Sequence, residues 1–370
     1  MPTIQIDALD TLFFRDSKTF TKGEDTWADT MFPPYPSVIY GALRSAYFAE
    51  DVSKLDFANT ENDPTSGLII KNICLKQGND FYFPLPLDCV QEKGWSNTTA
   101  KKDKVFVINP NPIKSEVLSS CPVSEIVQID NDKQIENVSD GILSKSELEK
   151  YLKANDEKEL SIKKRSDYLT TEPKIGIARS QHTHTSNEGM LYRVGMNRMA
   201  KGFDNTLSLI IDFEGLDIPD KGLMKMGGEG KAIKYQDLKD QKPDFALSGE
   251  IKNKIQESRQ FKLYLSTPAI FKKGWLPVDI DKNTLEGTIN DVKVKLITAA
   301  IGKPISIGGW DIKKGCPKTM RKAVPAGSVY YFKLLEGDIS KLHGQSISDK
   351  FPDNNYSKQG FGISYVGAVK

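Results

Sequence analysis

The chain has few cysteines, and they are scattered. Cys74, Cys89, Cys121 and Cys316 form no CxxC pair, which excludes a zinc knuckle and a disulfide framework and leaves small buried hydrophobes as their reading. No run of about 18 apolar residues occurs, and the start, MPTIQIDALDTLFFRD, lacks a basic flank followed by an apolar core. Neither a membrane span nor a signal peptide is therefore expected, and the chain reads as cytoplasmic. An excess of one charge is missing too: 51 basic against 49 acidic residues leave a net charge of +2. That excludes a uniformly basic coat, so any site for a polyanion has to be local.

What is present is length and alternation. At 370 residues the chain exceeds the usual size of one hydrophobic core, and two domains are expected. "TIQID" alternates as a strand, and after "FPPYP" Ser37 is placed to cap a helix carrying Ile39, Leu43, Ala46 and Tyr47 on one face. "GLIIKNICL" and "DFYFPL" follow as a hairpin. Residues from about 91 to 165 are rich in Asn, Asp, Ser and Lys and read as an insertion, broken by one helix at "SKSELEKYLKAN" with a capping box from Ser144 and Glu147. "MLYRVGM", "LSLIIDF" and the turn "MGGEGKAIKY" complete the first half. "QFKLYLSTPAIF", "VKVKLITAAIG", "SVYYFKLL" and "GFGISYVGAV" then leave little room for long helices. The pattern predicts an α+β fold of two units, 1–245 and 256–370, each an antiparallel sheet with helices on one face.

Four motifs carry candidate chemistry. The loop 308–332 places Lys313, Lys314, Lys318, Arg321 and Lys322 close together behind Gly308, Gly309 and Trp310. Phosphate is their natural counter-charge, and a base stacked on the indole gains about 1–3 kcal/mol; a solvated loop anchored by a buried Trp310 is the alternative. "GGEGKAIKY" can turn several N–H groups toward an anion, yet it is no P-loop, because Ala232 follows Lys231 where a magnesium-binding hydroxyl belongs. A hairpin arm at about 172–195 carries Lys174, Arg179 and Arg193 beside Ile175 and Ile177, cations for a nucleic-acid backbone and apolar wedges for its bases; an ordinary exposed hairpin is the competitor. His182 and His184 offer an acid and a base for cleaving an RNA phosphodiester without metal, a metal site, or simply a polar loop. His343 stands alone.

In order along the chain, "LFFRDSKTF", "FPPYPSVIYGALRS", "KIGIAR", "GGEG", "STPAIFKKGW", "GGWD", "VPAGSVYYF" and "GFGISYVG" resemble the third-subunit family of the Cmr effector complex, type III-B CRISPR proteins of the RAMP superfamily. The segment 91–165 carries no family signature. The resemblance implies two fused ferredoxin-like (RRM-like) domains and a non-catalytic scaffold. Such a scaffold holds the 5′ repeat-derived handle of the CRISPR RNA (crRNA) and docks on a large cyclase-like subunit, beside a repeated RAMP backbone subunit. It further implies RNA contacts at Lys174, Ile175 and Arg179 of the arm, at Gly227, Gly228, Gly230 and Lys231 of the glycine turn, and at Trp310, Lys313, Lys314, Lys318 and Arg321. "KQGFGISYVG" is similar to the superfamily's glycine-rich loop and adds Lys358, Gly360 and Gly362. Neither cofactor nor metal is implied: Glu229 lacks the adjacent second acid of a two-metal cyclase site. A metal-independent RAMP endoribonuclease using His182 or His184 is the first rival, and a pure protein-interaction subunit whose Arg and Lys loops meet acidic partner surfaces is the second.

Overall fold

Ile4 and Ile6 are buried on one face of the strand Thr3–Ala8, which pairs antiparallel with Leu207–Glu214 on one side and Ala232–Asp237 on the other. The computed structural model describes residues 2–15, 27–97, 103–113, 121–129, 134–155, 159–179, 182–183, 185–199, 206–239, 241–243, 245–277, 279–311 and 315–370, with the backbone alone at 27, 97, 177–179, 186–192 and 311. Around the first strand an eight-stranded sheet runs Lys163–Lys164, Gly141–Ser144, Asp80–Pro84, Ile69–Gln77, Leu207–Glu214, Thr3–Ala8, Ala232–Asp237, Lys221–Lys225. A second, six-stranded sheet runs Glu286–Ile289, Val292–Ala300, Val329–Glu336, Gln260–Leu265, Ile363–Ala368, Gln345–Ser346. The pairings in both sheets are antiparallel and helices are few, as the alternation predicts.

Helix α1, Pro36–Glu50, lays Ile39, Ala42, Leu43 and Ala46 on the first sheet against Ile4, Ile6, Leu209 and Ile211. Its start differs from the expectation. Tyr35 is the N-cap, without a side-chain cap bond, and Pro36 opens the helix with φ already set for that position, so Ser37 lies inside the first turn. Side chains alternate across the sheet: Ile73 and Leu75 join the α1 core, whereas Cys74 between them joins a larger one, and Ile210 does the same between Leu209 and Ile211. That larger core contains Phe83 and Leu143 from the first half, Leu148, Tyr151 and Leu152 of α2 (Lys145–Lys153), Ile251 and Ile255 of α3 (Gly249–Ser258), and Phe261, Leu263, Tyr330 and Phe332 of the second sheet. The division expected between 245 and 256 therefore separates sheets but not cores.

Two further expectations are corrected. The segment 91–165 is not wholly an insertion: Gly141–Ser144 and Lys163–Lys164 are strands of the first sheet, and α2 belongs to the shared core. The four-stranded sheet Leu160–Ser161, Lys104–Val107, Cys89–Glu92, Ile135–Asn137 is separate from the first sheet, but its Cys89, Val105 and Leu160 are buried in the same shared core. Of the cysteines, Cys74 and Cys89 are buried, and burial pushes both thiols up, but Cys121 is half-buried and Cys316 exposed.

Candidate nucleic-acid interface

The arm pairs Leu169–Arg179 with Ser186–Met199, with a register shift between Ile177 and Arg179. Its base is anchored by Asn197. The main chain of Asn197 exchanges hydrogen bonds with Leu12 at 2.7 and 2.8 Å, and its side-chain amide donates to Thr30 Oγ1 at 3.0 Å and to the Met31 carbonyl at 2.9 Å. Val194 and Met196 are buried against Phe13. The same Phe13 receives the glycine turn: the Gly228 N–H donates to the Phe13 carbonyl at 2.9 Å.

Within the turn, Gly227 (φ 86°), Glu229 (φ 59°) and Gly230 (φ 67°) are left-handed. A Cβ on Gly227 lies 2.5 Å from the Phe13 carbonyl oxygen and 2.9 Å from the Phe14 ring, whereas one on Gly230 meets nothing within 4 Å. Gly228 is not left-handed; its Cβ lies 2.9 Å from the Phe13 ring. The demand for glycine at 227 and 228 thus comes from packing within the chain.

Of four ion pairs here, one joins the turn to the arm directly, two link them through Asp10 and the fourth crosses the arm itself. Lys174 Nζ meets Glu229 Oε2 at 2.5 Å, Lys231 Nζ meets Asp10 Oδ2 at 2.9 Å, Arg198 meets Asp10 at 3.4 Å, and Arg198 Nε donates to Glu172. The hydrogen bond from Lys231 holds the Asp10 carboxyl below its ordinary value, and Arg198 does the same for Glu172. Ile175 stands beside this network, 60% exposed. Sequence reasoning missed Asp10, Glu172, Asn197 and Arg198. The one available signal was Asp10, just before "LFFRD".

The Trp310 loop is a second feature. Trp310–Asp311 pairs with Cys316–Pro317 in a short ribbon, and the Lys318 N–H donates to the Gly309 carbonyl at 2.9 Å. Trp310 is 59% exposed, so it is no buried anchor, and Lys318 is exposed beside it. The ribbon follows the strand Ile305–Ile307, which pairs with Arg321–Ala323 and is tied to the start of α1 by Tyr35 Oη donating to the Ser306 carbonyl at 3.2 Å. Lys313, Lys314 and His184 lie outside the described residues, as does the side chain of Arg179. His182 is exposed.

Four predicted contacts are placed elsewhere. Arg321 is half-buried, donates twice to Asp353 at 2.9 Å and lies 4.5 Å from the Phe351 ring centroid, so its charge is spent on holding two loops together. Gly360 (φ 89°) and Gly362 (φ 74°) are buried; a Cβ on them comes 2.8 Å from Ile70 Cγ2 and 2.5 Å from Ser348 Oγ. Lys358 donates to the Ser66 carbonyl at 2.9 Å and accepts from the Ile70 N–H at 2.9 Å. This glycine-rich stretch is the seam between the halves and offers no open backbone to a phosphate. Among the described residues no three His, Cys, Asp or Glu side chains gather as metal ligands do, and no helix is long and apolar enough to cross a membrane.

A family model described as CRISPR-associated protein (Cas_Cmr3) matches residues 4–369. No curated protein matches the chain. Among solved structures, a chain of the type III-B Cmr-beta bound to cognate target RNA and AMPPnP is similar at a TM-score of 0.51 and 16% identity, over 89% of this chain and 86% of that one. A chain of the type III-B Cmr-beta bound to cognate target RNA gives a TM-score of 0.51 and 17% identity over the same shares. At such identities the likeness is one of fold.

Proposed function

Because this chain belongs to the Cas_Cmr3 family of CRISPR-associated proteins, we propose that it is a crRNA-binding scaffold subunit, without catalysis of its own, in a type III-B Cmr effector complex. The observation that carries the RNA assignment is the knitting of arm base and glycine turn into one charged edge by Lys174–Glu229, Lys231–Asp10, Arg198–Asp10 and Arg198–Glu172. Paired cations at an exposed surface are held loosely, so a phosphate can displace a carboxylate while the cation stays aimed. The 5′ handle lies along this edge, with Ile175 against its bases and Trp310 as a stacking face.

The sheets support the fold that this role entails. Ile69–Gln77, Leu207–Glu214, Thr3–Ala8 and Ala232–Asp237 are the second, third, first and fourth strands of a ferredoxin-like (RRM-like) unit, with α1 as its first crossover. Val292–Ala300, Val329–Glu336, Gln260–Leu265 and Ile363–Ala368 repeat that order. The arm is inserted between the second and third strands of the first unit. In this reading the scaffold docks on the large cyclase-like subunit and the repeated RAMP backbone subunit in the cytoplasm, and His182 and His184 transfer no proton.

Fluorescence anisotropy with 5′-handle RNA in the assembled complex tests the assignment. Lys174→Ala with Lys231→Ala is expected to flatten the slope of log K against log salt by about 1.4, the value for two lost phosphate contacts on a single strand. An unchanged slope moves the RNA off this edge.

A further inference from the structure

The 3₁₀ helix Val52–Phe57, directly after α1, takes no part in the proposed RNA edge. Three of its six residues, VSKLDF, are large and apolar, yet none of the six is buried: Val52 is 69% exposed, Leu55 53% and Phe57 49%. Residues i and i+3 of a 3₁₀ helix eclipse, so Val52 and Leu55 stack on one side with Phe57 a third of a turn away. A group of this kind, held in water, marks an interaction surface.

The helix is firmly mounted. Asp51 caps it, accepting from the Ser53 N–H at 3.1 Å and the Ser53 hydroxyl at 2.6 Å. Behind it, Asp63 accepts from the N–H groups of Asn59 and Thr65, both at 2.8 Å, and pairs with Arg44 of α1 at 2.7 Å. Arg44 also donates to Asn59 at 3.0 Å and to Thr65 at 2.7 Å. The apolar side chains are therefore presented by a braced loop, and ordering them on binding costs little.

Charge selects the occupant. Glu50, Asp56 and Glu61 are exposed around the helix and, among the described residues, stand in no ion pair. The nearby cation, Lys54, is engaged by Asp51 at 3.6 Å and by the Tyr47 ring at 5.4 Å. An acidic rim repels a phosphate backbone. It also disfavours a two-fold pairing with a second copy, which sets the same acids against one another. We propose that Val52, Leu55 and Phe57 dock a partner protein of the effector complex, one whose apolar surface is rimmed by Lys and Arg. This rests on the functional reading above. The site is well apart from the RNA edge: the arm is anchored at Thr30 and Met31, before α1, and the helix follows α1, whose 15 residues span about 22 Å.

The test mixes the full chain with the purified remaining subunits and crRNA and follows its incorporation by size exclusion, with handle-RNA affinity and melting temperature measured on the same samples. Leu55→Glu with Phe57→Glu is expected to lower incorporation at least ten-fold while melting temperature and RNA affinity stay at the parent's values. Asp56→Lys with Glu61→Lys is expected to lower it too, most at low salt. Full incorporation of both variants overturns the proposal, as does loss of RNA affinity alone. Dimerisation of the isolated parent that the first variant abolishes overturns it in favour of a second copy. A parent chain that never joins the complex overturns the functional reading itself.

Discussion

Lys174 of the arm and Glu229 at the left-handed tip of the glycine turn meet at 2.5 Å, so two motifs far apart in sequence become one surface. The pair is exposed, and an exposed pair contributes at most about 1 kcal/mol. On the proposed function, its importance is in binding rather than in stability. Glu229→Gln removes a carboxylate that competes with phosphate for Lys174 and is expected to tighten handle RNA two- to five-fold at low salt, an effect that fades as salt rises. Weaker binding by Glu229→Gln in a salt titration of anisotropy shows instead that the carboxylate positions the lysine.

Gly227 and Gly230 share a left-handed backbone but differ in surroundings. Gly227→Ala drives a Cβ into the Phe13 carbonyl at 2.5 Å, whereas Gly230→Ala meets open space. The first is expected to cost about 2–3 kcal/mol of stability and the second about 1 kcal/mol, the cost of the backbone conformation alone. Chemical denaturation checks the order; equal costs mean that the turn rests on Phe13 less tightly than the distances require.

Trp310 is exposed enough that its removal leaves the fold intact. Trp310→Ala is expected to change stability by less than about 0.5 kcal/mol and to weaken handle RNA by about 1–3 kcal/mol through lost stacking. A melting temperature that drops while RNA affinity holds makes the indole a packing element.

The double change His182→Ala and His184→Ala is expected to leave RNA cleavage by the assembled complex at the parent's rate, because neither imidazole is assigned a proton transfer. Loss of cleavage with assembly intact, seen on a denaturing gel, shifts the chain to the endoribonuclease class.

Alternation made the sheets legible, because burial on one face leaves a two-residue period wherever the chain runs. Ser144 likewise caps α2 as its local pattern requires, accepting from the Glu147 N–H at 3.3 Å; the Glu147 carboxylate turns away to the Ser161 N–H, which spacing could not foretell. The failures are those where the deciding neighbour is distant in sequence. "KQGFGISYVG" reads equally well as an open loop or a packed seam until Ile70 and Ser348 are placed against Gly360 and Gly362. Arg321 reads as a free cation until Asp353, 32 residues on, takes it. Of the acids that hold the charged edge, Asp10 has only its place just before "LFFRD" as a signal and Glu172 has none.

The shared core holds a group whose titration is open to measurement. Lys262, in the strand Gln260–Leu265, is 3% exposed with its ammonium 3.4 Å from the Tyr151 ring centroid, while Asp88 nearby accepts from the hydroxyls of Tyr151 at 2.6 Å and Tyr331 at 2.5 Å. Burial lowers its pKa to about 8, against an opposing pull from Asp88. Because the folded value is depressed below the unfolded 10.5, the unfolded chain binds more protons between these values, and stability rises with pH there by up to about 1.4 kcal/mol per unit. The buried tyrosines act oppositely: burial raises Tyr151 and Tyr331 well above 10, so stability falls once the unfolded chain ionises them. Urea unfolding at pH 7.0, 8.5 and 9.5, below that range, is therefore expected to show the parent gaining stability relative to Lys262→Met as pH rises. Parallel curves for the two proteins would mean that water reaches the ammonium and that the core between the sheets is less closely packed at Lys262 than its burial implies.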